Sequence, residues 1–209
     1  MKSKKQIVLT IIVPFLIGAI LSASTAGIIT LCNRNNGIYG TRDGKHLTGK
    51  PPYEYLSDSS FTPIDCKMPK ELQEYTYYLC EAYYLDFDFV MALIYTESSF
   101  NANAVSEKGS YGLMQISKVN HDNITAALGI TDFTEPYGNI RAGLYILRGL
   151  FEKYDDERRV LMAYNMGEYG ATVLWEQDIH ETSYTNKVLA KADEYAEQRA
   201  SASQEKEAK

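Results

Sequence analysis

Little in this 209-residue chain could hold a metal. It has three cysteines, Cys32, Cys66 and Cys80, with no C-x-x-C pair, and three scattered histidines, His46, His121 and His180. Structural metal sites draw on closely spaced ligands of these types, so neither a metal nor any other cofactor is expected. Basic charge is also in short supply: 21 Lys and Arg stand against 27 Asp and Glu, for a net charge of −6. Lys2, Lys4 and Lys5 belong to a leading segment with no acid before Asp43, so the remainder is more acidic still. Such a surface does not attract phosphate backbones, which argues against a nucleic-acid partner. Strand signals are short and few, no internal repeat is visible, and helical spacing dominates, so the fold is expected to be mainly α.

Long apolar runs are scarce as well, with one exception. Residues 7–31 carry no charge and come after a lysine-rich start. About 25 such residues span about 37 Å as a helix, enough to cross a ~30 Å hydrocarbon core with tilt. The positive-inside bias would leave residues 1–6 as a cytoplasmic tail and place everything after residue 31 outside a cell membrane, crossed once. The small residues from Ser22 to Gly27 resemble a processing site, so a cleavable signal peptide competes with the anchor; the apolar run through Leu31 favours the anchor. Bulky Leu31 before Cys32 argues against lipidation. Residues 32–63, rich in Gly, Asn, Ser, Pro and charge, read as a linker. Residues 64–195 suffice for one compact core, and residues 196–209 lack large apolar side chains and are expected to form a flexible tail. Outside the membrane Cys66 and Cys80 could form a disulfide, or both could be buried thiols.

Within the core region, Asp86 can cap a helix and Asp88 favours its positive end. Val90, Leu93, Ile94 and Glu97 then keep i, i+3, i+4, i+7 spacing, which continues the apolar stripe into a carboxyl group. A carboxyl at the inner edge of such a stripe loses hydration of its charged form, so it can remain a proton donor near neutral pH. Other helices are expected over residues 68–84, 124–128 (stopped by Gly129), 138–154, 157–165 (stopped by Gly167), 171–175 and 182–199.

Over about Cys66 to Tyr195 the chain is similar to the SLT-type lytic transglycosylases, peptidoglycan-cleaving relatives of goose-type lysozyme. The resemblance rests on Glu97-Ser98, Phe100, Asn103 to Ser106, Gly112-Leu113-Met114-Gln115, Asn139-Ile140 with Gly143, Tyr145 and Leu147, Ala163-Tyr164-Asn165-Met166-Gly167, and Glu181-Thr182-x-Tyr184-x-x-Lys187-Val188. Several motifs in one order are far more specific than any single one. Ala102, Ser110, Met166 and the stretch from Ser117 to Asn120 depart from the family pattern.

The resemblance implies a lysozyme-like (α+β lysozyme superfamily) domain behind one transmembrane helix, with peptidoglycan glycan strands as partner. It implies Glu97 as the catalytic acid and base, with Ser106, Met114, Gln115, Tyr164, Asn165 and Tyr184 as substrate-binding residues. Each has a local alternative: Ser106 can hold its own turn and Gln115 can bond the loop. No second carboxylate is evident, since Asp88 stands about 13.5 Å of helical rise from Glu97. A single acid fits cleavage of the MurNAc-GlcNAc β-1,4 bond without water, in which the muramyl 6-hydroxyl closes a 1,6-anhydro ring. A lysozyme-type hydrolase, or an idle glycan-binding scaffold, is the alternative. Wall remodelling, secretion, conjugation and phage machinery are not separated by any residue pattern.

Overall fold

The computed structural model describes residues 61–207. The expected cytoplasmic tail, the membrane anchor over 7–31, Cys32 and nearly all of the linker lie outside them. Among the described residues no helix is long and apolar enough to cross a membrane. The elements in order are α1 (Lys70–Tyr83), α2 (Phe87–Ser98), β1 (Ser110–Tyr111), β2 (Ile116–Ser117), a 3-10 turn (Lys118–Asn120), α3 (His121–Leu128), α4 (Pro136–Phe151), α5 (Glu157–Trp175) and α6 (Ser183–Glu207).

Helix α2 sits at the centre because its sequence is apolar almost all round. Val90, Met91, Ala92, Leu93 and Ile94 are fully buried, and a helix without a polar face has to be enclosed. The Asp86 carboxylate caps it by accepting from the Phe89 amide at 2.7 Å. Its last turn ends in two successive left-handed residues, Ser99 (φ 52°) and Phe100 (φ 66°), which turn the chain sharply away from Glu97. Around α2 pack α1, through Leu72, Tyr75 and Leu79, and α6, the helix with which it shares its most extensive interface. Helix α4 adds Ile140, Leu144 and Leu147 to the core, and α5 adds Val160, Leu161 and Met162.

Sequence spacing and structure differ in two instructive places. The expected stop at Gly167 is there, since α5 is two helical segments that meet at a kink where Gly167 takes a non-helical φ of 77° and ψ of 156°, but the second segment follows directly on Gly167 instead of starting at residue 171. The expected flexible tail from residue 196 is also corrected, since α6 continues to Glu207. Its outer half is rich in Ala, Glu, Gln and Lys, good helix formers that show no apolar stripe. It is held from the side. Arg199 donates from Nη1 to Asp88 Oδ2 at 2.8 Å and from Nε to the Thr62 carbonyl at 3.0 Å, with its guanidinium 4.8 Å from the Phe87 ring centre. Gln198 accepts from the Asp65 amide at 2.9 Å, and the Ser203 and Thr62 hydroxyls are 3.2 Å apart. The segment before α1 is pinned again by buried Gln73, which donates to the carbonyls of Ile64 and Met68. Cys66 and Cys80 are free thiols.

Candidate active site

The last turn of α2 carries Glu97 into a half-buried position between α5 and α6. Tyr184, in the first turn of α6, donates its hydroxyl proton to Glu97 Oε1. Among the described residues no hydrogen bond engages Oε2, so one carboxyl oxygen is fixed and the other is left for chemistry. Burial pushes the Glu97 carboxyl above its ordinary range, while the Tyr184 hydrogen bond and the nearby Lys187 ammonium pull the other way without cancelling it. Burial and the Glu97 charge in turn hold the Tyr184 phenol well above its usual range, which keeps it a donor. Among the described residues no carboxylate is one of the groups that shift Glu97. Asp88 is engaged by Arg199 at the other end of α2, and Glu107 lies exposed in the loop.

Opposite α2, residues 112–115 connect β1 to β2 and are clamped from two helices. Fully buried Asn139 on α4 accepts from the Met114 amide at 2.8 Å and donates to the carbonyls of Tyr111 at 2.8 Å and Phe133 at 2.6 Å. From α5 the Tyr164 hydroxyl donates to the Met114 carbonyl at 2.8 Å. Two glycines make the fit possible. A Cβ on Gly112 would lie 2.3 Å from Asn139 Nδ2, and one on Gly143 would lie 2.2 Å from Met114 Sδ. Tyr164 is close enough to Glu97 for the carboxylate charge to reinforce burial in holding its phenol well above the usual range.

The sequence-derived site residues therefore fall into distinct positions. Glu97 and Tyr184 touch, and Tyr164 sits beside them. Asn165 is exposed next to Tyr164. Gln115, held at φ 47°, uses its amide nitrogen on the carbonyls of Gly112 (2.9 Å) and Ala104 (3.2 Å), which leaves its Oε1 as the free functional atom. Ser106 accepts from the Ser110 amide at 3.0 Å and so holds the loop itself. Met114 is corrected: its side chain is fully buried, with its thioether in the space left by Gly143, so it packs the core and offers substrate no side-chain surface. Two residues of the site, Asn139 and Lys187, stand in the sequence only as motif letters. Asn139 is a polar residue beside the apolar stripe of α4, a signal that could have singled it out; Lys187 lies one turn beyond Tyr184 and carries no comparable signal.

Comparison with known proteins identifies the family. Residues 75–183, more than half of the chain, match the family model described as the transglycosylase SLT domain. A membrane-bound lytic murein transglycosylase F from Enterobacter is 30% identical over 153 residues, and one from Serratia proteamaculans is 28% identical over 141 residues. These alignments take in 68% and 64% of this chain, which spans only 28% of the length of either relative. Among solved structures, an inactive mutant of the lytic transglycosylase Slt from Pseudomonas aeruginosa superposes with a TM-score of 0.51 at 22% identity, over 58% of this chain and 23% of its own. The 70 kDa soluble lytic transglycosylase of Escherichia coli gives 0.51 at 20% identity, over 60% of this chain and 25% of its own. These two likenesses concern the fold.

Proposed function

Because this chain belongs to the transglycosylase SLT domain family, we propose that it is a peptidoglycan lytic transglycosylase and that Glu97 is its single acid and base. The observation that carries the reading is the Glu97 carboxyl itself: half-buried, raised in proton affinity, held at Oε1 by Tyr184 and, among the described residues, with no other carboxylate acting on it. A glycosidase that works with two carboxyl groups sets them about 5 to 9.5 Å apart. With one, the substrate has to supply the second nucleophile.

The steps derive from that geometry. Protonated Glu97 gives its proton to the oxygen joining C1 of N-acetylmuramic acid to N-acetylglucosamine, and the C1–O bond breaks as the leaving sugar takes the electron pair. The muramyl acetamido group stabilises the cationic C1. Glu97, now a carboxylate, removes the proton of the muramyl 6-hydroxyl as O6 bonds to C1. This closes the 1,6-anhydro ring, restores the acid and consumes no water. Internal attack benefits from a high effective molarity, on the order of 10⁵ M or more for well-aligned groups. Tyr184 keeps the carboxyl oriented in both protonation states, and Tyr164 and Asn139 hold the 112–115 turn so that the Gln115 carbonyl oxygen can accept from a sugar hydroxyl or amide. Asn165 contributes a further amide at the exposed rim.

Membrane association is part of the same proposal. It rests on the apolar run over residues 7–31 and on relatives named as membrane-bound. In this reading the run is a single-pass anchor and the catalytic domain acts outside the membrane. The test of the chemistry is mass spectrometry of purified peptidoglycan after incubation with the chain and with Glu97→Gln. Anhydro-muramyl ends, one water lighter than reducing ends and absent with the variant, are expected. Reducing ends would replace the proposal with a lysozyme-type hydrolase, and strand binding without cleavage would replace it with a glycan-binding scaffold.

A further inference from the structure

Lys187 differs from most of the cations around it. Lys153, Arg158, Lys191 and Arg199 each pair with a carboxylate of the protein, Glu168, Glu181, Glu194 and Asp88 respectively. Lys187 is exposed and takes no carboxylate among the described residues. Its position is nevertheless defined. It lies three residues after Tyr184 on α6, so the two side chains share a helix face. Its Nζ stands 5.9 Å from the ring centre of Tyr95, which lies two residues before Glu97 on α2. The same ring receives Lys191 at 4.9 Å and leans on Phe100 at 5.8 Å. An ammonium with no ion-pair partner among the described residues, yet near enough to Glu97 for the two charges to interact, is thereby held beside an aromatic ring at the edge of the site, in a protein whose overall charge is negative.

We propose that Lys187 docks a carboxylate of the peptide stem carried by the muramyl residue whose bond is cleaved. The inference rests on the transglycosylase reading and adds to it a recognition element for the non-sugar part of the substrate. The amino sugars of a strand are N-acetylated and uncharged, so its anionic groups are the carboxylates of the stems. The stem leaves the same sugar ring that presents C1 to Glu97, and Lys187 stands one helical turn beyond Tyr184, the residue that holds Glu97. A carboxylate arriving there meets an ammonium that holds no ion pair among the described residues, with Lys191 on the same ring, and displaces none of the ion pairs named above. It would also offset the pull of Lys187 on Glu97, and so favour the protonated acid when a stem-bearing strand is bound. The other titratable groups around that carboxyl, Tyr184 from α6 and Tyr164 from α5, remain neutral donors throughout.

The experiment compares the full chain with Lys187→Met and Lys187→Arg on two probes made from one peptidoglycan preparation. One probe is stem-bearing strands and the other is the same strands with their stem carboxylates capped as methylamides by carbodiimide and excess methylamine; kcat and KM are measured across pH. For Lys187→Met the loss in kcat/KM on stem-bearing strands should exceed that on capped strands by about three- to tenfold, carried mainly by KM, as for one charge-assisted contact at a partly exposed site. Lys187→Arg should retain most of the preference. Equal losses on both probes, with the same displacement of the pH profile, would mean that Lys187 acts only through Glu97 and would overturn the proposal. Unchanged selectivity would overturn it too. A wild-type chain that cleaves neither probe would remove the transglycosylase reading itself, an outcome distinct from a loss of selectivity.

Discussion

Replacing Asn139 by Ala tests whether the 112–115 turn is built by α4. The wild-type side chain is fully buried and makes three hydrogen bonds, to the Met114 amide and to the carbonyls of Tyr111 and Phe133, all between 2.6 and 2.8 Å. Alanine removes all three and leaves a buried donor and two acceptors without that partner. At about 1 to 2 kcal/mol for each group stranded in this way, the variant should lose about 3 to 6 kcal/mol. For a chain of this size, 1 kcal/mol corresponds to about 2 to 4 °C in Tm, so a fall of about 6 to 24 °C is expected in a thermal melt monitored by circular dichroism. Tyr145→Ala, an exposed position on the same helix, should stay within about 0.5 kcal/mol of wild type and serves as the control. A double-mutant cycle sharpens the test, because Tyr164 holds the same residue through the Met114 carbonyl. Tyr164→Phe alone should cost about 1 kcal/mol. In the Asn139→Ala background it should cost measurably less, since the turn it would fix is already loose, with a coupling of at least about 0.5 kcal/mol. A Tm fall below about 2 °C, or strict additivity, would refute the clamp.

Two further outcomes come from the electrostatics. Tyr184→Phe removes a hydrogen bond that favours ionised Glu97, so the carboxyl should hold its proton to higher pH: the alkaline limb of the kcat profile moves up while kcat falls about ten- to a hundredfold from lost orientation. A limb that stays in place or moves down would contradict the assigned contact. Arg199→Met leaves Asp88 without its partner in a site where burial already raises its carboxyl above the ordinary range, at a cost of about 3 kcal/mol at neutral pH. A raised folded-state proton affinity means that the carboxylate penalises folding above that value and is relieved below it. The Tm gap to wild type should therefore narrow on acidification, and a gap that widens in parallel melts would reverse the argument.

Much of the site is legible in the sequence because its signals are local. Asp86 caps α2, the stripe from Val90 to Glu97 brings a carboxyl to the helix end, and Gly129 and Gly167 interrupt helices through positive φ. The motif order links Tyr184 to Glu97, a pairing across a sequence separation of 87 that periodicity alone does not reveal. The features that escape the sequence are long-range and polar. Asn139 works on backbone groups, which leave no trace in side-chain identity. Met114 looks available because its motif lies in a loop, yet Gly143, on a different helix, makes room to bury it. The outer half of α6 has no apolar stripe because Arg199, Gln198 and Ser203 fasten it through hydrogen bonds rather than through a hydrophobic face.

That fastening has a topological side. The hydroxyls of Thr62 and Ser203 meet although 141 residues separate them, so the described chain returns almost to its own starting point and is nearly a closed ring. Bringing together ends so far apart along the chain carries a loop-closure entropy of about 4 to 5 kcal/mol, which the folded protein offsets with a few hydrogen bonds and one ion pair. A covalent bridge made there would transfer that entropy to the unfolded state. It would do so at a corner pinned by the far end of α6, several helical turns from Tyr184, which makes it a place where the fold can be reinforced without rebuilding the site around Glu97.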